Sequence, residues 1–168
     1  GPVVLGGGAP VGGLTISLSS TLAGVQLPAT VKAAAGATSV GFTVKVLGTS
    51  ANVTGLVKAT YKSRTVSTPL QLLAPVATSL TLVPSMVKSG ASSTARVFLD
   101  SAAGPGGFRL LVTSSHTSAR VPASVTVLEG AKSAAFTVTT VPVRAQTKPV
   151  ITVKRGTMSK SNTLTVNP

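Results

Sequence analysis

Val121-Pro122-Ala123-Ser124-Val125-Thr126-Val127-Leu128-Glu129-Gly130-Ala131-Lys132-Ser133-Ala134-Ala135-Phe136-Thr137-Val138 has an earlier copy 94 residues upstream, Leu27-Pro28-Ala29-Thr30-Val31-Lys32-Ala33-Ala34-Ala35-Gly36-Ala37-Thr38-Ser39-Val40-Gly41-Phe42-Thr43-Val44. Laying residue n on residue n+94 keeps the halves in register without a gap from Val3 on Val97 to Leu72 on Val166, so the chain is a tandem duplication. Each copy is then a domain of roughly 75 to 95 residues, near the lower limit for burying an adequate core unaided. We read the domains as 1–74 and 75–168.

The pattern around this stretch has period two. Leu14, Ile16 and Leu18 alternate with Thr15 and Ser17, and Phe108, Leu110 and Val112 occupy the same places in the second copy. Val31 and Ala33, matched by Val125 and Val127, alternate inward. Gly36-Ala37 and Gly130-Ala131 mark a turn, after which the strands of Phe42 and Phe136 return. Pro28 and Pro122 carry no ladder donor and predict a sheet edge or a crossing between sheets. The last two strands of each copy read Leu56 to Tyr61 with Leu70-Gln71-Leu72, and Val150 to Val153 with Leu164-Thr165-Val166, joined at Lys62-Ser63-Arg64 and Arg155-Gly156-Thr157. Seven short strands per copy, with turn residues between them, predict two tandem all-β Greek-key sandwiches of immunoglobulin type. The junction Leu72 to Thr78 has no Gly or Ser run and is expected to hold the domains end to end.

Phe42, Phe136, Phe108 and Leu14 are assigned to the cores, which must otherwise be built from aliphatic residues, because the chain has only four Phe, one Tyr and no Trp. The copies differ at their start. The second opens with Ser79-Leu80-Thr81-Leu82-Val83-Pro84, continuing through Met86 to Gly90, whereas the first begins about 20 residues later in the repeat. The first sandwich is therefore expected to lack its opening strand, exposing core positions and unpaired backbone groups. Either the chain is a piece of a longer array or a neighbouring subunit supplies the strand. In the second case Val3, Val4 and Leu5 would form the receiving edge, and the terminal segment from Asn162 through Leu164 and Val166 to Pro168 would be the donor.

At Pro-Ala-Ser/Thr-Val, then Gly-Ala, then Phe-Thr-Val, together with the Gly-Gly pairs at Gly12-Gly13 and Gly106-Gly107, the chain resembles bacterial immunoglobulin-like repeats of exported and cell-surface proteins. The resemblance covers both copies. It implies a sandwich fold, an extracellular or cell-surface location and a structural, spacer or adhesive role, with no catalytic residues to carry over. Calcium sites of some related repeats need several carboxylates, and Asp100 and Glu129 are the only acids in this chain.

That inventory also excludes most chemistry. His116, the only His, lies in a polar segment and is read as a loop residue rather than a base. Asp100 and Glu129 fall in different turns, too few for a carboxylate pair or an oxygen-rich cation site. Without Cys there is no disulfide or thiolate site. The Gly-rich segments open strands, whereas a phosphate cradle needs a helix behind it. No catalytic, metal or cofactor site is expected. An internal Lys to Asn isopeptide bond would need a buried acid, which the first copy lacks; the second could offer Glu129 or Asp100 with Asn162. Asn52-Val53-Thr54 is a glycosylation sequon. No apolar run reaches 18 residues, and Gly1-Pro2-Val3 does not open a signal peptide, so either a signal was removed or the chain begins at an internal cut.

The net charge of +13 is the one extreme number, arising from missing acids as much as from abundant bases. It favours anionic cell-wall polymer or polysaccharide as a partner. Specific nucleic-acid binding is not expected, because the bases are scattered and Tyr61 is the only candidate stacking ring outside the cores. The sequence therefore predicts a non-enzymatic structural or spacer subunit of an extracellular assembly or filament, a homo-oligomer or homopolymer joined head to tail by strand complementation. A polyanion- or carbohydrate-binding adhesive module is the alternative.

Overall fold

Hydroxyl-bearing and β-branched residues alternating with aliphatic ones leave strands as the regular structure, and the computed structural model, which describes residues Gly1–Pro168, is all-β. In chain order the strands of the first unit are β1 (Pro2–Val4), β2 (Leu14–Ser20), β3 (Val25–Gln26), β4 (Thr30–Ala33), β5 (Ser39–Gly41), β6 (Lys45–Val46), β7 (Val53–Tyr61) and β8 (Arg64–Leu72). Those of the second are β9 (Ala77–Val83), β10 (Met86–Lys88), β11 (Ser92–Leu99), β12 (Phe108–Ser114), β13 (Ala119–Arg120), β14 (Ser124–Val127), β15 (Ser133–Thr140), β16 (Val150–Arg155), β17 (Met158–Thr163) and β18 (Thr165–Asn167). The chain forms two compact units, Gly1–Leu73 and Ala74–Pro168.

Unit 2 is the complete copy. One four-stranded sheet runs β13-β15-β11-β9, the other β14-β12-β16-β17, and β10 pairs in parallel with β18. The chain passes between sheets at Pro122, between β13 and β14, where a residue without an N–H costs no ladder bond. This order is the immunoglobulin-like Greek-key sandwich. Period-two alternation turns Leu80 and Leu82, Val97 and Leu99, Leu110 and Val112, Val125 and Val127, and Ile151 and Val153 into one shared interior. Phe108, Leu110, Ile151, Leu164, Val97, Val138 and Val166 are almost completely buried there. Each such side chain contributes about 1.5 to 3 kcal/mol. Arg155 closes one end with its guanidinium 4.1 Å from the centre of the Phe108 ring.

Unit 1 repeats this pairing register by register. Val3 faces Val40 as Val97 faces Ala134, Leu14 faces Ala33 as Phe108 faces Val127, and Tyr61 faces Arg64 as Arg155 faces Met158. Even Val53 opposite Leu72 has its counterpart in the isolated bridge of Thr147 to Val166. Its sheets are β4-β2-β7-β8, β1-β5 and β3-β6. Where unit 2 has the single strand β15, unit 1 has the fragments β5 and β6, because Ser92–Thr94 of β11, which pair with Thr137–Thr139, have counterparts that would precede Gly1. The remaining ladder ends at the terminal residue, where Phe42 N–H donates to Gly1 O at 3.0 Å and the Gly1 amine to Phe42 O at 3.1 Å. Among residues Gly1–Pro168 no counterpart of β9 or β10 pairs with β1, whose outer edge is open.

The missing cover changes the interior. Ile16, Leu18, Ala33 and Val57 remain buried, but the clustered core of unit 1 shrinks to Leu22, Val25 and Leu72. Phe136 is 9 % exposed and Phe108 2 %. Their counterparts Phe42 and Leu14 are only half-buried, so Phe42 is not the core centre, and Leu14 not the enclosed core residue, that the sequence assigns, because no strand pairs along the outer edge of β1 beside them. The turn glycines follow the repeat more faithfully: Gly13 and Gly107, at φ +82° and +76°, would each drive a Cβ into a carbonyl oxygen, of Ala33 and Val127, at 2.6 and 2.7 Å.

Candidate functional site

The titratable residues build no reactive centre. Ser118 N–H donates to His116 Nδ1 at 3.0 Å, and the Ser118 hydroxyl lies 2.8 Å from the same nitrogen while accepting from Thr147 Oγ1 at 2.9 Å. His116 thus ties off a turn. Asp100 Oδ1 accepts the Val76 N–H at 2.9 Å, and the Asp100 N–H bonds back to Val76 O at 3.0 Å. The bond from Val76 holds the Asp100 carboxyl below the usual carboxylate range. Glu129 is exposed in the turn after β14, and His, Asp and Glu nowhere gather in threes.

The chemistry of the molecule lies instead at the open edge of unit 1. Antiparallel pairing alternates the direction of backbone groups. Gly1, Val3 and Leu5 turn theirs to β5, with Leu5 N–H donating to Thr38 O at 2.8 Å, which leaves Pro2 and Val4 facing outward. Pro2 stands where unit 2 has Arg96 and has no N–H to offer, so the free edge presents two carbonyls and the single donor of Val4. That is a partly guarded edge.

Beside it the sandwich gapes. One cavity of about 150 Å³ is lined by Val3, Phe42, Val57, Ala59 and Val66 among others. A second, of about 450 Å³, lies among Val3, Leu5, Leu14, Ile16, Tyr61 and Val66, with Arg64 at its lip. The counterparts of Val3, Val57 and Ala59 are Val97, Ile151 and Val153, which lie fully buried in the core that Leu80 and Leu82 of β9 share. The cavities are thus the footprint of the absent strand. Val66 is 63 % exposed and Val4 75 %, an apolar surface with nothing of its own to cover it.

The residues named from sequence as subunit contacts divide between the units. Val3, Val4 and Leu5 line the open edge. Asn162, Leu164 and Val166 are engaged inside unit 2: Asn162 Nδ2 donates to Leu80 O at 2.9 Å, Leu164 and Val166 are fully buried, and Val166 faces Val87 in the parallel β10–β18 pair. To act as a donor, that segment would have to leave its own core. The sequence places Arg64 only at a hairpin and does not single out Val66; that both line the open edge on β8 depends on tertiary contacts.

No family model matches the chain, and no curated protein matches it in sequence. Among solved structures, domains 4 and 5 of the S-layer protein SbsC are similar at 26 % identity, with 90 % of this chain and 69 % of that chain covered and a TM-score of 0.37. The D0-D1 domain of intimin is similar at 9 % identity, covering 94 % and 80 % of the two chains at a TM-score of 0.39. Domains 5-6 of SbsC cover 99 % and 95 % at 14 % identity and a TM-score of 0.35.

Proposed function

We propose that the chain is a non-enzymatic structural subunit of an extracellular or cell-surface assembly, in which unit 1 is joined to its neighbour by accepting a β-strand along β1. The observation that carries this reading is the open edge itself: an apolar, strand-shaped footprint that unit 2 fills with its own β9. Burying it would gain apolar contact from Leu-sized side chains at alternate positions and close part of the ladder, the mode of recognition by strand addition. The resemblance to surface repeats and the absence of any catalytic grouping agree with it. Light scattering on the purified chain tests it, with association rising with concentration and suppressed by Val66→Lys, which installs the residue unit 2 carries at that place. A chain that stays monomeric and takes up no strand peptide refutes it.

A second reading draws on charge. The outer face of the sheet β4-β2-β7-β8 is built from Thr15, Ser17, Ser19, Thr30, Lys32, Lys58, Thr60, Thr65 and Ser67, cross-strand partners that join hydroxyls to lysines with no acid among them. A flat face of hydroxyls and cations suits an anionic polysaccharide. Retention on such a polymer that vanishes above moderate salt supports this reading, and indifference to the polymer ends it.

A further inference from the structure

The two copies hold, or would hold, their first strand by different polar contacts. In unit 2 three side chains fix β9 and the residue before it: Asp100 accepts the Val76 N–H, Met158 Sδ accepts the Ala77 N–H at 2.9 Å, and Asn162 donates to Leu80 O. At n−94 these become Gly6, Arg64 and Thr68. The carboxylate that received the start of the strand is gone, and the thioether acceptor is replaced by a guanidinium, which has five donors and no acceptor. Arg64 sits exposed at the lip of the 450 Å³ cavity, beside Tyr61, over which Lys62 lies at 5.5 Å. Unit 1 has five basic residues and no acid at all to answer it. The groove stays apolar: Leu14, Val57 and Ala59 are smaller than their counterparts Phe108, Ile151 and Val153, while Val66 replaces Lys160 and Tyr61 replaces Arg155.

Building on the reading of unit 1 as a strand acceptor, we infer that the strand it accepts carries a carboxylate at its start, facing Arg64, ahead of apolar residues at alternate positions. Within residues 1–168, Asp100 is followed by Ser101-Ala102-Ala103-Gly104 and Glu129 by Gly130-Ala131-Lys132, so neither of these acids leads an alternating apolar run. The partner is an extended acidic-apolar segment, complementary to a basic lip over an apolar groove.

The test uses two peptides on the full chain. Both carry the sequence Val76–Val83, one with Val76→Glu and the other with Val76→Gln, so that they differ in one charge at the start of the strand. Binding is read from the fluorescence of Tyr61, the sole Tyr in a chain without Trp and a residue of the groove wall. The Glu peptide should bind about fivefold more tightly than the Gln peptide at low salt, the size of a partly exposed ion pair. That preference should disappear at high salt and in Arg64→Met, which restores the residue of unit 2. Equal binding of the two peptides to the unmodified chain overturns the acidic partner and leaves the acceptor groove standing. A preference that survives Arg64→Met overturns the role of Arg64. If neither peptide binds, the acceptor reading fails and this inference falls with it.

Discussion

Truncating the same residue in both copies separates a closed core from an open one. Leu110 is fully buried at the centre of unit 2, and its counterpart Ile16 is 2 % exposed but forms part of the floor of the 450 Å³ cavity. Leu110→Ala removes well-packed methyl groups and leaves a sealed void, so both the transfer and the cavity contributions apply, about 3 kcal/mol or more. Ile16→Ala enlarges a space that is already open, so mainly the transfer contribution is lost, about 2 kcal/mol. With a urea dependence of about 1 kcal/mol per M for a domain of this size, the midpoint of unit 2 should fall by about 3 M in Leu110→Ala and that of unit 1 by about 2 M in Ile16→Ala. Tyr61 fluorescence follows unit 1 alone and far-ultraviolet circular dichroism follows both, so one urea titration resolves the two transitions. Unit 1 should melt first in the unmodified chain. The reasoning is refuted if Leu110→Ala moves the Tyr61 transition by as much as the dichroism, which would mean one fused cooperative core, or if Ile16→Ala proves as costly as Leu110→Ala.

Phe136→Ala should cost about 3 kcal/mol or more of unit 2 stability and Phe42→Ala distinctly less of unit 1, because only the first ring is covered; the same urea titration measures both. Gly107→Ala should lower the melting temperature of unit 2 far more than Gly106→Ala. Both have positive φ, but a Cβ on Gly107 would lie 2.7 Å from Val127 O while one on Gly106 meets nothing. Asp100 contributes stability that is present above the ordinary Asp range and lost as pH falls through its lowered folded value, since the unfolded chain binds the proton first. Melting temperature followed from pH 5 downward should therefore decline below about pH 4, and Asp100→Asn should flatten that decline.

Much of this architecture was legible because duplication is a strong signal. One offset of 94 carries the β1–β5, β2–β4 and β7–β8 pairings of unit 1 onto unit 2, and the turns at Gly36 and Gly130, both at φ near +77°, stand where the pattern puts them. The two hairpin tips agree even where the residues do not, with Lys62 at φ 51° in the place of Gly156 at φ 57°. What stayed hidden depends on distant contacts. β3 and β13 are two residues long, too short to show alternation, so seven strands were read where unit 2 has ten. Burial of Phe42 depends on what covers the edge of β1, which local periodicity does not report. The pairing of Thr165 and Val166 with β10 joins residues some 80 positions apart and leaves no periodicity to read. The edge was visible as a gap in the repeat, whereas its polarity, set by Arg64 in place of Met158, emerges only when the neighbours of Ala77 are known.

The parallel pairing of β10 with β18 has a mechanical consequence. Unit 2 begins with β9, which leads into β10, and ends just after β18, so once β9 has peeled from β11, tension applied through Ala74 and Pro168 drags β10 and β18 past each other along their length, straining their mutual bonds together instead of unzipping them singly. Unit 1 has no such clasp. A pulled chain should therefore yield at its first module and hold at its second.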